Sequence, residues 1–184
     1  MSYYFSLPIT NTISLVHTDQ LMAEEIFQLV ASDKEHLRPF LDFVDLATDS
    51  SGQLNYINLK LKKDSEGTDK LFCITFKNKI VGCADLHNMD QQLRKAEIGY
   101  WIHSDYKNQE IISQVVRKIC DYAFNYLNLN KLIIIADTEN LASNRVAQKA
   151  QFTFVGTDVD DFMMNGSYRN MNKYALLRQN FLSD

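Results

Sequence analysis

Glu97 stands in "KAEIGYWIH" between Ala96 and Ile98, and a carboxylate between two apolar residues of a strand needs a reason. Strand alternation puts it on one face with Gly99 and Trp101. There it can take a proton from a substrate, or it can simply be solvated or pair with Arg94 or Lys95. His87 ends "CADLH" and is an alternative base, since histidine titrates near neutrality, although a lone strand-end histidine is more often structural. Past Glu97, "YWIHSDYKNQEIISQVV" (Tyr100 to Val116) reads as a strand, a short loop and a helix start. Such a junction offers free backbone N–H groups and a partial positive charge to an anion. It contains no glycine, and Glu110 puts a carboxylate where the anion would lie. Two readings remain open: a weakened anion site, or a helix start carrying a favourable first-turn acid. Downstream, "TENLASN" opens another helix, with Asn140 or Ser143 as a cap. No metal-ligand spacing, P-loop or nucleophile elbow is present.

The elements that must position these residues follow from periodicity. "TISLVH" (Thr12 to His17) is a strand, and Thr18 or Asp19 can cap a helix running to about Ser32. Pro39 interrupts a short helical piece, and Leu54, Ile57 and Leu61 mark a helix within 51–63. "KLFCITFK" and "KIVGCADLH" form a hairpin through Asn78, and Lys95 to His103 adds a third strand. A helix spans about 109–127, with Ile112, Val116, Ile119, Ala123 and Leu127 as its apolar stripe. "KLIIIAD" (Lys131 to Asp137) is apolar enough for a strand covered on both faces, parallel to the Lys95 strand through a right-handed crossover. A short helix over about 142–150 and a final hairpin around Asn165-Gly166 complete the order β, α, α, β, β, β, α, β, α, β, β.

The 184 residues suit one domain spanning 1–184, with ordinary fractions of apolar (46%) and charged (23%) residues and no linker-like stretch. A net charge of −4 argues against direct nucleic-acid binding. Cys73, Cys83 and Cys120 are odd in number, far apart and set in apolar contexts, so free buried thiols and a reducing compartment are expected. "MSYYFSLPIT" has no signal-peptide pattern and no apolar run approaches ~20 residues, so no membrane partner is expected and the cytoplasm is the natural location.

This order, with "RKAEIGYWI" and "NLASNRVAQKAQF", resembles the GNAT superfamily of acyl-CoA-dependent N-acetyltransferases, in particular its RimJ/RimL-type branch. The resemblance covers nearly the whole chain and is most specific over 95–152. It implies an α/β (α+β) GNAT fold: a central mixed, mostly antiparallel sheet with a splayed parallel strand pair, flanked by helices. It also implies acetyl transfer from acetyl-CoA to an amine, such as a ribosomal protein N-terminus, by direct attack in a ternary complex and without a metal. The pantetheine contacts implied are Tyr100, Trp101 and Ile102, and those to the pyrophosphate are Lys107, Asn108, Gln109, Glu110, Ile111, Ile112 and Ser113. Glu97 takes the role of base, Asn140 that of a pantetheine partner, and Ser143 lies at the thioester as proton donor. Asn108, Glu110 and Gln151 replace usual glycines, and Ala147 occupies the place of a common tyrosine acid. Asn tolerates a left-handed backbone, whereas Glu110 costs affinity unless its carboxylate points away from the phosphates. Alternative functions are an impaired acyl-CoA-binding or protein-interaction module, and an acetyltransferase of polyamines or antibiotics. A homodimer is compatible with all of them.

Overall fold

The computed structural model describes residues 5–46 and 48–181, so part of the N-terminal decade read above lies outside it. Eight strands form one sheet in the order β1-β2-β3-β4-β5-β6-β8-β7. They are β1 (Ser6–Pro8), β2 (Ile13–His17), β3 (Lys70–Phe76), β4 (Lys79–Asp90), β5 (Lys95–Ile102), β6 (Lys131–Asp137), β7 (Thr153–Met164) and β8 (Ser167–Leu177). The helices are α1 (Ala23–Ala31), α2 (Lys34–Leu37), α3 (Ser50–Ser65), α4 (Ile111–Asp121) and α5 (Leu141–Lys149). Only β5 and β6 run parallel, the rest being antiparallel. This is the mixed, mostly antiparallel sheet that the family resemblance implied. The short edge strand β1 is an addition, for three residues carry no usable alternation.

Turn chemistry decides the hairpins. Lys77 and Asn78 have φ of 51° and 63°, and Asn165 and Gly166 of 51° and 77°, which is the left-handed pair that a two-residue turn between twisted strands needs. Asp19 accepts from the Leu21 N–H, and Asp49 accepts from the Ser51 and Gly52 N–H groups, so both early helical segments begin on a carboxylate cap.

The sheet is covered on both faces. One layer packs Leu15, Ile74, Leu86 and Ile98 against Ile111, Val115, Ile119 and Phe124, while the other sets Val16, Leu71, Cys73 and Cys83 against Ile26 and Ile57. The stripe expected on the long helix packs against this core and is wider than expected. Ile111, Val115, Cys120 and Phe124 are buried with Val116, Ile119 and Ala123, whereas Ile112 and Leu127 are only half-buried. A π-helical turn over Tyr122–Tyr126 shifts Leu127, which follows it, from regular spacing, whereas Ile112 lies on the regular helix ahead of that turn.

Candidate active site

β5 has two halves. Lys95, Ala96 and Glu97 pair with Lys131, Leu132 and Ile133 of β6, and beyond Glu97 the ladder stops. A cavity of about 220 Å³ fills the gap, walled by Tyr100, Ile134, Asn140 and Ser143 among others. His103 N–H donates to the Val81 carbonyl of β4, so alternation turns the backbone of Ile98, Tyr100 and Ile102 toward the gap. The backbone groups of Tyr100 and Ile102 therefore lie open to the gap rather than in the β4 ladder. Those of Trp101 do not. Its carbonyl lies against β4, where a Cβ on Gly82 would come within 2.2 Å of it, and its side chain faces the α1–α3 layer.

The following loop keeps a glycine-like backbone without glycine. Asn108 and Glu110 each have φ 58°, and Gln151 has φ 64°. Non-glycine residues adopt this conformation at a cost. The first backbone bond of α4 runs from Gln114 N–H to the Glu110 carbonyl, so the N–H groups just ahead of it have no intrahelical acceptor. Buried Asp33 holds the loop's start, accepting from the Ser104 N–H and hydroxyl at 2.7 Å each. Lys107 and Gln109 are exposed, Lys107 reaching His36 at 3.5 Å and Gln109 donating to the Asp105 carbonyl. Ile111 is a core residue, so only its backbone is available to a ligand, while Ile112 and Ser113 are half-buried. Glu110 turns to Lys149 of α5 at 2.6 Å, which lowers its pKa. The carboxylate thus arrives with its own counter-ion.

At the head of α5, the Asn140 side chain accepts from the Ser143 N–H, so it is the helix cap and keeps its amide donors for a ligand. Ser143 Oγ is 3.0 Å from the Tyr100 hydroxyl, whose pKa burial pushes up to about 12 although the hydrogen bond to Ser143 opposes this. Sequence reading assigned only a backbone role to Tyr100, because strand spacing says nothing about what its hydroxyl meets. Asn144 was missed altogether. Its amide donates to the Asp137 and Asn140 carbonyls and its oxygen accepts from Asn172 and Tyr174, which locks α5 onto β6 and β8. The repeat of Asn one turn after Asn140 was the available signal. Ala147 is fully buried.

On the opposite face, Glu97 ends a chain of charges. His87 bridges Glu97 (3.5 Å) and Asp85 (3.1 Å), and Lys60 joins Asp85 (2.8 Å) to Asp69 (2.6 Å). Burial alone would lower the His87 pKa, yet hydrogen bonds to Asp85 and Glu97 raise it to about 9. His87 is therefore an imidazolium at neutral pH and cannot serve there as a base. The hydrogen bond from His87 holds Glu97 below the usual carboxylate range. Glu97 is ionised, with its proton affinity reduced.

A splayed parallel pair beside a helix start rich in free N–H donors offers a slot for an extended ligand that ends in phosphate. Residues 13–153 match the family described as Acetyltransferase (GNAT) domain, and the chain belongs to that family of acetyl-CoA-dependent acetyltransferases. YdaF of Bacillus subtilis (strain 168), whose name places it provisionally among ribosomal N-acetyltransferases, is 27% identical over 176 residues, covering 95% of this chain and 96% of that protein. Spermidine N(1)-acetyltransferase of Escherichia coli (strain K12) is 26% identical over 117 residues, 64% of this chain and 63% of the relative. A solved RimL, a ribosomal L7/L12 alpha-N-protein acetyltransferase in complex with coenzyme A, superposes with a TM-score of 0.89 at 25% identity, over 94% of this chain and 97% of that one.

Proposed function

We propose that this protein acetylates the α-amine of a protein N-terminus, by direct attack on acetyl-CoA in a ternary complex. The observation that carries the reading is the ion pair between Glu97 and a protonated His87. A carboxylate so stabilised is a weak base, which suits an acceptor that is already partly neutral. At pH 7.5 roughly a third of an α-amine with a pKa near 7.8 is neutral, against about 0.1% of a lysine or polyamine amine near 10.4. The RimL likeness supports the same acceptor class, and a ribosomal protein is the natural first candidate. The polyamine reading has a relative on its side but needs a stronger base than Glu97.

In this reading, backbone groups of Tyr100 and Ile102 and the amide of Asn140 hold the pantetheine arm. The N–H groups of the 107–113 loop, with Lys107, hold the pyrophosphate. The left-handed backbone at Asn108 and Glu110 and the Lys149 counter-ion favour a working loop over an impaired one. Glu97 accepts the proton that the amine sheds, across a water, since Gly99 on the same face is about 7 Å along the strand. Ser143, backed by the Tyr100 hydroxyl, donates a proton to the departing thiolate. The test is mass spectrometry of peptides with a free or blocked N-terminus, some bearing internal lysine, incubated with acetyl-CoA. Acetylation confined to the free α-amine is expected, and equal acetylation of lysine side chains would sink the reading.

A further inference from the structure

A second cavity, of about 270 Å³, lies between β3–β5 and the α1–α3 layer, and it shares Leu41, Gly99 and Tyr100 with the wall of the splay cavity. We propose that it receives the side chain of the acceptor's first residue, and that this side chain is large and apolar. The assignment rests on the α-amine reading above and adds the substrate class to it.

Position comes first. The two cavities share Gly99 and Tyr100 as wall residues, so the second cavity borders the stretch of β5 that walls the splay gap. Its wall includes the rings of Phe43, Tyr56 and Trp101, with Phe43 6.5 Å from Tyr56 and 6.4 Å from Trp101 between centroids. Size comes next. At roughly 30 Å³ per water the space equals about nine waters, far more than a serine hydroxymethyl group fills.

Charge closes the argument. Asp85 is the one ionised residue in the wall, and its oxygens are taken by Lys60 at 2.8 Å, His87 at 3.1 Å and the Gly99 N–H at 3.1 Å. In the surrounding chain Lys60, Lys63 and His87 face Asp69, Asp85 and Glu97, three cations against three carboxylates. A lysine side chain or the far amine of a polyamine would lose its hydration there without gaining a free counter-ion. A buried leucine or phenylalanine side chain instead gains roughly tenfold to a hundredfold in affinity from removal of its surface from water.

Trp101, the chain's single tryptophan, is a built-in reporter, since it lines this cavity. With coenzyme A present as a non-reactive partner, peptides differing only in a first residue of Phe, Leu, Ser or Lys are titrated while Trp101 fluorescence is followed, with spermidine as a further ligand. The Phe and Leu peptides should bind at least tenfold more tightly than the others. Equal or tighter binding of the Ser or Lys peptide or of spermidine, or a fluorescence signal that the Phe peptide leaves unmoved, would overturn the assignment. Leu46 lies at the rim and is 79% exposed, so Leu46→Asp should fold normally and cut the Phe-over-Lys preference at least threefold. An unchanged preference there would also count against it. Acetyl transfer measured on the same peptides separates the two ideas. Selective fluorescence without transfer would sink the transferase reading and leave the cavity as a binding site for an apolar first residue but not for an acceptor, and transfer without selectivity would sink only the cavity assignment.

Discussion

Glu97 and Glu110 are the same residue type, each paired with a cation, in regions that treat the pair oppositely. The Glu110–Lys149 contact is the shorter, at 2.6 Å, yet both side chains are 57% exposed. Glu97 and His87 are 3.5 Å apart but only 27% and 30% exposed, and they connect to a buried series of further charges. Solvent, more than distance, sets what a pair is worth: water screens the first, and desolvation makes the second sensitive to any unbalanced change. The sheet interior is therefore where charge governs stability and chemistry, and in the loop the backbone matters more than the carboxylate.

The largest expected effect is at the buried end. Lys60→Ala leaves Asp69 and Asp85 short of a partner, and stability should fall by about 3–5 kcal/mol in urea unfolding. A loss below about 1 kcal/mol would mean that water reaches these carboxylates as freely as it reaches Glu110.

Chemistry comes second. Glu97→Gln should lower turnover about 10²-fold, the low end for a general base, because His87 already weakens its proton affinity. Acetyl-CoA affinity by isothermal titration should stay level. Unchanged turnover would reduce Glu97 to the His87 counter-ion.

His87 supplies a pH test. Its folded pKa, about 9, lies above the ordinary value of 6.5, so the folded state binds the proton more tightly. The stabilisation is complete below about pH 6.5 and disappears as pH rises through 9. Roughly 2 kcal/mol should be lost across that window, after discounting for partial exposure. In His87→Asn this pH dependence should vanish, and a surviving slope would place the titrating group elsewhere.

The smallest effect belongs to the loop. Glu110→Gly should leave acetyl-CoA binding within about twofold, because the left-handed backbone it relieves is already part of the fold and the carboxylate is paired with Lys149. Raising salt should change the variant and the parent almost alike, because the Lys149 pair already offsets the carboxylate. A strongly salt-dependent gain would show that Glu110 repels the ligand after all.

Local chemistry carried every strand but β1, both tight turns and most helix limits, because alternation, Asn-rich turns and carboxylate caps act within a few residues. It also placed Glu97 on the face of Gly99 and Trp101, since a period of two needs only counting. The π turn that follows α4 lay beyond it, as did the partner of Glu110 in a helix far along the chain. So did the hydroxyl of Tyr100 meeting Ser143, and Trp101's commitment to β4. A sequence determines which groups a chain owns and which way neighbours alternate. Only tertiary packing decides which distant charges meet, how much water remains between them, and hence whether a glutamate is a surface ion or the end of a buried relay.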